Sequence, residues 1–104
     1  MIAPGLIAQV AERIRERFNP EKIILFGSHA RGEARADSDI DLLIVAATKL
    51  PPRERFPAVR RALADFPAAF DLILKTPGEY RRWRKVLNNI VYFADKYGKV
   101  IYER

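Results

Sequence analysis

Residues 22–46 read KIILFGSHARGEARADSDIDLLIVA, and this stretch decides the fold. The run from Lys22 to Phe26 is apolar and β-branched, which predicts a buried strand that ends at Gly27. The run from Asp39 to Ala46 predicts a second strand, whose successive side chains point to opposite faces of a sheet. A polar segment therefore connects two strands that are both expected to be buried in the core.

The polar connection contains its own helix signals. Ser28 is a favourable N-cap residue and Gly32 a favourable stop, so we expect a short helix from Ser28 to Gly32. Small and polar residues fill positions 33–38, which predicts a loop.

Helical and strand periodicities continue on both sides of this centre. We expect helices at Leu6–Phe18, from Pro51-Pro52 to Ala64, at Gly78–Arg84 and at Val86–Tyr97, and strands at Ala69–Leu74 and Lys99–Tyr102. In the last helix we expect Leu87, Ile90, Val91 and Ala94 to point inward. The order of elements predicts an α/β (α+β) fold, a small mixed β-sheet with helices packed on it, in a single domain spanning residues 1–104.

Bulk composition limits the function classes. The chain has 104 residues and no cysteine, which excludes disulfides and thiolate metal sites. The longest apolar run is too short to cross a bilayer, and no basic, apolar leader is evident. We therefore expect a cytoplasmic protein that does not associate with a membrane. The net charge of +6 favours polyanionic partners such as nucleotide phosphates, nucleic acid or an acidic protein surface.

Asp39 and Asp41 are the first candidate site. Two residues apart on a strand, their carboxylates share a face at about 7 Å along the backbone. Aspartate is depleted in strands and like charges repel, so the pair indicates a cation such as Mg²⁺ or Mn²⁺ between the oxygens. Alternatively, Asp39 is an ordinary turn residue after Ser38.

Gly27-Ser28 and Asp71 add two further candidates. A glycine between strand and helix lets the backbone approach a ligand, and the following helix start suits a phosphate. Ser28 alone could equally be only a cap. Asp71 interrupts the apolar run Phe70–Leu74, where it could join the metal site or act as a general base. A structural ion pair would explain it equally well.

The combined pattern resembles a known family. Gly27-Ser28-His29-Ala30-Arg31-Gly32 followed by Ser38-Asp39-Ile40-Asp41-Leu42 resembles the signature of the minimal nucleotidyltransferases, in the DNA polymerase β-like nucleotidyltransferase superfamily. The resemblance covers nearly the whole chain and implies the polymerase β-like nucleotidyltransferase fold.

The resemblance also implies residue roles. Gly27 and Ser28 would hold a triphosphate, with Arg31 as a phosphate-binding or motif-stabilising residue, or else a surface arginine. Asp39, Asp41 and Asp71 would form the catalytic, metal-binding triad, with two Mg²⁺ ions. The lone His29 is expected to be exposed and uncommitted.

Members of the family are often paired with a helical HEPN protein, as antitoxin and toxin. The resemblance therefore implies transfer of AMP from ATP to a hydroxyl of a HEPN partner. Aromatic and arginine residues of the C-terminal half fit an interface: Tyr80, Arg81, Arg82, Trp83, Arg84, Tyr92 and Tyr97. Alternatively, Trp83 and Tyr92 belong to the core and the arginines form a solvated face.

Two other functions compete with an active transferase. One is an antitoxin that neutralises its partner by binding alone. The other is a nucleic-acid-binding module or a transferase acting on RNA ends, which only the net charge favours. Because no aromatic and basic RNA motif is visible, nucleic acid ranks last as a partner.

Overall fold

The computed structural model describes residues 5–35 and 37–104, which form four strands and five helices. In chain order these are α1 (Leu6–Phe18), β1 (Lys22–Phe26), α2 (Ser28–Arg31), β2 (Ile40–Val45), α3 (Pro52–Ala62), β3 (Phe70–Lys75), α4 (Pro77–Trp83), α5 (Ile90–Tyr97) and β4 (Lys99–Glu103). The expected α/β fold with a small mixed sheet is confirmed. None of the helices in these ranges is long and apolar enough to cross a bilayer.

The sheet has the strand order β3-β2-β1-β4. Strand β1 runs antiparallel to both β2 and β4, whereas β2 and β3 are parallel. A parallel pair requires a crossover connection, which α3 provides between β2 and β3. The register sets Asp41 beside Asp71 on one side and beside Phe26 on the other. The topology thus brings residues from three separate segments to one end of the sheet.

Strand β2 lies at the centre of the core because both of its faces are covered. Leu42 and Ile44 pack in a cluster with Val10 and Ile14 of α1 and with Val59. The alternate residues of β2 pack on the opposite face, in a second cluster that comprises Ile24, Phe26, Leu43, Val45, Tyr80, Val91 and Ala94. Burial on both faces explains why β2 reads as a continuous apolar run, interrupted only where Asp41 lies near its beginning.

Several expected boundaries differ from the structure. Strand β2 begins at Ile40, so Asp39 lies just outside it, and α3 ends at Ala62 instead of Ala64. Gly27, not Ser28, is the N-cap of α2, and no side chain caps that helix. Ala36 lies outside the described residues; the described positions of the expected loop at 33–38 contain no helix or strand.

The expected helix from Val86 to Tyr97 is wrong in its first turn. The helix begins only at Ile90, and Asn89 caps it by accepting hydrogen bonds from the amides of Val91 and Tyr92. Asn88 before it has a positive φ of 66°, which asparagine tolerates better than most residues. Leu87 and Ile90 consequently point outward, with 66% and 47% of their surface exposed.

Burial in the helical layer does not follow side-chain polarity at every position. Phe56 is 41% exposed, whereas its neighbour Arg55 is buried. Tyr80, expected at an interface, lies in the core and donates its hydroxyl hydrogen bond to Asp95. Ring burial with a partner for the hydroxyl is the usual arrangement for a core tyrosine.

Arg55 is buried because three groups satisfy its guanidinium. It donates to the carbonyls of Leu50 and Leu74 at 3.0 and 3.4 Å, and to Glu79 Oε1 at 2.6 Å. The same Glu79 oxygen accepts from the amide of Thr76, completing the capping box of α4. One carboxylate thus fixes α3, the end of β3 and the start of α4.

We expect Glu79→Gln to destabilise the protein by about 1–2 kcal/mol, because a charged hydrogen bond to a buried arginine is weakened. Burial raises the pKa of Glu79, but bonds from Thr76 and Arg55 outweigh it and leave the pKa lowered. A depressed carboxylate pKa stabilises the fold above the pKa of the unfolded chain. This contribution is lost as pH falls through the folded value.

Chemical denaturation of the wild type and Glu79→Gln between acidic and neutral pH measures the effect. The exposed Glu54→Gln in α3 is the control and should leave stability within about 0.5 kcal/mol. A stability difference between wild type and Glu79→Gln that does not shrink on acidification would contradict this account of the ion pair.

Candidate functional site

Gly27 connects β1 to α2 in a conformation that other residues avoid. Its φ of 73° and ψ of −153° lie in a region occupied almost only by glycine. A Cβ at this position would overlap Oδ2 of Asp41 and lie 3.0 Å from its Cγ. The carboxylate of Asp41 therefore occupies the space where a side chain of residue 27 would be, so the turn and the carboxylate are in direct contact.

The turn presents backbone amides beside this carboxylate. The Gly27 carbonyl accepts hydrogen bonds from the amides of Ala30 and Arg31, at 3.2 Å each. The amides of Ser28 and His29 precede that first bonded turn, so helix geometry supplies no acceptor for them. Ser28 is half-buried, and its hydroxyl lies on the same tight turn. Such a turn can donate hydrogen bonds to an anionic ligand.

Asp41 and Asp71 are neighbours across the parallel strands, which run about 4.8 Å apart. Asp41 is half-buried and Asp71 is exposed. Burial raises the pKa of Asp41, and the charges of Asp71 and Asp39 raise it further, while His29 and Arg31 oppose the shift without cancelling it. The pKa of Asp41 therefore stays raised, because burial and the two neighbouring carboxylates outweigh the cationic side chains.

Asp39 and His29 lie on the loop side of the site. Asp39 is exposed and outside β2, although its charge still acts on Asp41. His29 was expected to be exposed and uncommitted, and this prediction is wrong. The side chain is half-buried, and its Nε2 donates a hydrogen bond to the Ser38 carbonyl at 3.3 Å. This bond ties α2 to the residue before Asp39. It joins positions nine apart through a loop, and no local pattern in the sequence indicates it.

Arg31 is exposed at the end of α2 and pairs with Glu33 at 3.4 Å. Its positive charge lowers the pKa of Asp41, which places the guanidinium within electrostatic reach of the carboxylates. An exposed pair of this kind contributes little to stability. Arg31 can therefore leave Glu33 and pair with an anionic ligand with little loss of folding free energy.

Within residues 5–35 and 37–104, no three histidine, cysteine or acidic side chains converge into a ready-made metal cage. Mg²⁺ rarely needs one, because it binds through one or two carboxylates and completes its octahedron with water and substrate phosphates. Paired oxygen donors at Asp41 and Asp71, beside a turn rich in amides, fit that mode of binding.

The Gly27–Asp41 contact places both halves of the sequence motif side by side, and comparison with known proteins identifies the family of the chain. A family model described as nucleotidyltransferase domain matches residues 7–93. The chain belongs to the nucleotidyltransferase domain family. This confirms the family and enzyme class expected from Gly27-Ser28 and Asp39-x-Asp41.

Individual relatives agree with this assignment. The chain is 35% identical over 82 residues to the protein adenylyltransferase MntA of Thermococcus cleftensis, covering 78% of this chain and 82% of the relative. A Sulfolobus solfataricus protein assigned to the nucleotidyltransferases superposes with a TM-score of 0.65 at 25% identity, covering 95% of this chain and 78% of that one.

A toxin–antitoxin crystal structure with AMP-PNP shares the fold, with a TM-score of 0.67 at 21% identity. The superposition covers 93% of this chain and 73% of that one.

The contact at Gly27 leads to a thermodynamic test. We expect Gly27→Ala to destabilise the fold by about 3–5 kcal/mol, from backbone strain plus overlap with the Asp41 carboxylate. In an Asp41→Ala background the overlap disappears and only the strain of about 1–3 kcal/mol remains. Denaturant unfolding of the two single variants and the double variant gives the coupling energy, expected at about 2 kcal/mol.

Gly32→Ala is the matched control, because Gly32 has a similar φ of 72° but nothing lies within 4 Å of its Cβ position. It should cost about 1–2 kcal/mol in either background. Equal costs of Gly27→Ala with and without the Asp41 carboxylate would show that the two residues are not in contact.

Proposed function

We propose that this protein is a Mg²⁺-dependent nucleotidyltransferase that transfers a nucleoside monophosphate, AMP from ATP, to a hydroxyl of a partner protein. The observation that carries the proposal is the packing of the Gly27 turn against Asp41, with Asp71 as the neighbour of Asp41 across the strands. This contact supports the proposal because it sets an amide-rich turn directly beside the carboxylates.

In this proposal the turn binds the triphosphate. The amides of Ser28 and His29 and the Ser28 hydroxyl would donate to phosphate oxygens, and Gly27 allows the backbone to approach them closely. Arg31 would add a charged donor once it leaves Glu33. His29 then acts as a positioning residue, because its bond to Ser38 holds the turn against the segment that carries Asp39.

Asp41 and Asp71, with Asp39 from the loop, would hold the divalent cation. When bound, Mg²⁺ would neutralise phosphate charge and orient the triphosphate, with Mn²⁺ as a substitute and two ions as the expected number. The half-buried Asp41 can serve as the fixed ligand, since Gly27 and β2 restrict its side chain. The exposed Asp39 is free to adjust around the nucleotide.

Asp71 is proposed as the general base. Its exposure leaves a carboxylate oxygen open to an acceptor that arrives from solvent. The acceptor hydroxyl would give its proton to Asp71 while its oxygen bonds to the α-phosphorus. The bond from that phosphorus to the bridging oxygen breaks, and pyrophosphate leaves with the electron pair. The acceptor then carries the nucleoside monophosphate through a phosphodiester bond.

The comparisons support the choice of nucleotide and acceptor. The Thermococcus relative is named a protein adenylyltransferase, and AMP-PNP, an ATP analogue, accompanies the toxin–antitoxin structure of the same fold. We therefore favour ATP as the donor and the toxin of a toxin–antitoxin pair as the acceptor. A HEPN-type helical protein is the expected toxin, because the sequence signature resembles that of HEPN-paired antitoxins.

Labelling with ATP that is radioactive at the α-phosphate tests the transfer. With Mg²⁺ and the product of the adjacent reading frame as acceptor, we expect label on the acceptor, and none when EDTA removes the metal. Asp39→Asn combined with Asp41→Asn should lower the rate by at least about a thousandfold, because the cation that stabilises the phosphoryl charge is lost.

Asp37→Asn is the control, since Asp37 is an exposed carboxylate on the same loop and should retain full activity. Labelling that survives the double aspartate change would rule out the proposed site.

A second candidate function is neutralisation of the partner by binding alone. The apolar surface described below favours it, because a surface of this kind suits a protein partner. If binding suffices, the Asp39→Asn, Asp41→Asn variant restores growth to cells that express the toxin as well as the wild type does. We expect instead that it fails to do so while still forming the complex, as measured by co-purification of the two chains.

A further inference from the structure

Exposed apolar side chains are concentrated near the C-terminus. Six of them lie between positions 86 and 100 and define an apolar strip: Val86, Leu87, Ile90, Phe93, Tyr97 and Val100. Leu87 and Tyr97 are the most exposed, at 66% and 62%. Single exposed apolar residues need no explanation, but a run of this size on a small domain marks an interaction surface.

The strip has a defined shape. Ile90, Phe93 and Tyr97 recur at helical spacing on α5, whereas Val91 and Ala94 of the same helix are buried. The rings of Phe93 and Tyr97 stack with centroids 6.1 Å apart. Side chains that already pack against each other lose less entropy when a partner covers them.

The segment that carries the strip is rich in positive charge, and Lys96 lies over the Tyr97 ring, 5.5 Å from its centroid. The segment from position 81 to 99 contains six cationic residues: Arg81, Arg82, Arg84, Lys85, Lys96 and Lys99. Its one acidic residue is Asp95, which already binds the Tyr80 hydroxyl and Arg84. Arg81 and Arg84 share a groove with Glu21 and Glu103. Lys85, Lys96 and Lys99 are exposed on the segment that carries the strip and define its basic rim. A partner with an apolar stripe flanked by acidic groups complements this surface.

Two occupants fit this surface poorly. In a symmetric dimer of the chain, each basic rim would meet an identical basic rim, which costs energy. An added β-strand would need a regular edge at β4, but the register of β4 against β1 shifts between Ile23 and Ile24, and such bulges disrupt edge pairing. An amphipathic helix fits better, since exposed rows on α5 can interdigitate with another helix.

The strip also lies on the same side of the sheet as the candidate site. Val91 and Ala94 hold α5 against Leu43 and Val45, which alternate in β2 with the same period as Asp41. A protein docked on α5 therefore approaches the face of the sheet from which the carboxylates project.

We propose that the apolar strip with its basic rim is the docking surface for the acceptor protein and binds an amphipathic helix with an apolar stripe and acidic flanks. This inference rests on the proposed function for the identity of the acceptor, but not for the chemistry of the surface. Docking here would supply affinity that the small nucleotide site lacks.

The single tryptophan provides the readout. Trp83 is 38% exposed, and its carbonyl accepts a hydrogen bond from the Asn89 side chain at the start of α5. Intrinsic fluorescence is titrated with a synthetic helical peptide bearing a leucine stripe and glutamate flanks. We expect saturable binding that weakens with salt, and at least tenfold weaker binding by the same peptide with lysine flanks.

Matched variants locate the binding. Phe93→Ser and Leu87→Ser should each weaken peptide binding at least about tenfold, as for a central contact of an interface. Phe56→Ser is the control, since Phe56 is similarly exposed at 41%, but on α3 away from the strip, and should change affinity less than about twofold. Circular dichroism and thermal unfolding confirm that each variant is folded.

Several outcomes would overturn the proposal: equal binding of both peptides, equal losses in Phe56→Ser and Phe93→Ser, or binding only to phosphatidylserine–phosphatidylcholine vesicles. Concentration-dependent dimerisation abolished by Phe93→Ser would assign the strip to a second copy instead.

With the acceptor protein, Phe93→Ser should raise the KM for that protein and leave AMP-PNP binding unchanged. Normal peptide docking without nucleotide transfer would refute the proposed function alone, so the two failures are distinguishable.

Discussion

The structure depends on one contact, between the backbone of Gly27 and the carboxylate of Asp41. The backbone conformation at Gly27 and the nearby carboxylate each exclude a side chain at that position. Because Asp41 is also registered against Phe26 and Asp71, the same contact fixes the turn after β1 relative to both parallel strands. The core itself therefore holds the turn and the carboxylates, the proposed phosphate donors and cation ligands, at a set distance from each other.

The core tolerates this arrangement because β2 is buried on both faces. Ile40, Leu42 and Leu43 are fully buried around Asp41, so its side chain has little freedom to swing toward water. Its raised pKa, caused by burial and by the charges of Asp71 and Asp39, shows that the fold holds an unfavourable charge in place. A local conflict of this kind is expected at functional sites, where stability is lost in exchange for activity.

The sequence predicted the sheet and the candidate residues because both depend on local patterns. Apolar runs located all four strands to within one residue at each end. The paired motif singled out Gly27 and Asp41, and an interrupted apolar run singled out Asp71. The late start of α5 was missed although Asn88-Asn89 carried a signal, since the helical period of the apolar residues seemed to continue through it. Burial of Arg55 and the bond from His29 were not predictable, because their partners lie in distant segments or across a loop.

The candidate site and the proposed docking surface occupy different parts of the molecule. The candidate site is built from strand ends and a turn, whereas the apolar strip is built from α5 and its flanks, and the two lie on one side of the sheet.

The most direct test is a crystal structure with Mn²⁺ and AMP-PNP, with the metal located by its anomalous scattering. The account predicts a metal peak about 2.1 Å from oxygens of Asp41 and Asp71, with the triphosphate against the turn at Gly27-Ser28. A nucleotide bound elsewhere, or a metal peak that avoids both carboxylates, would contradict it.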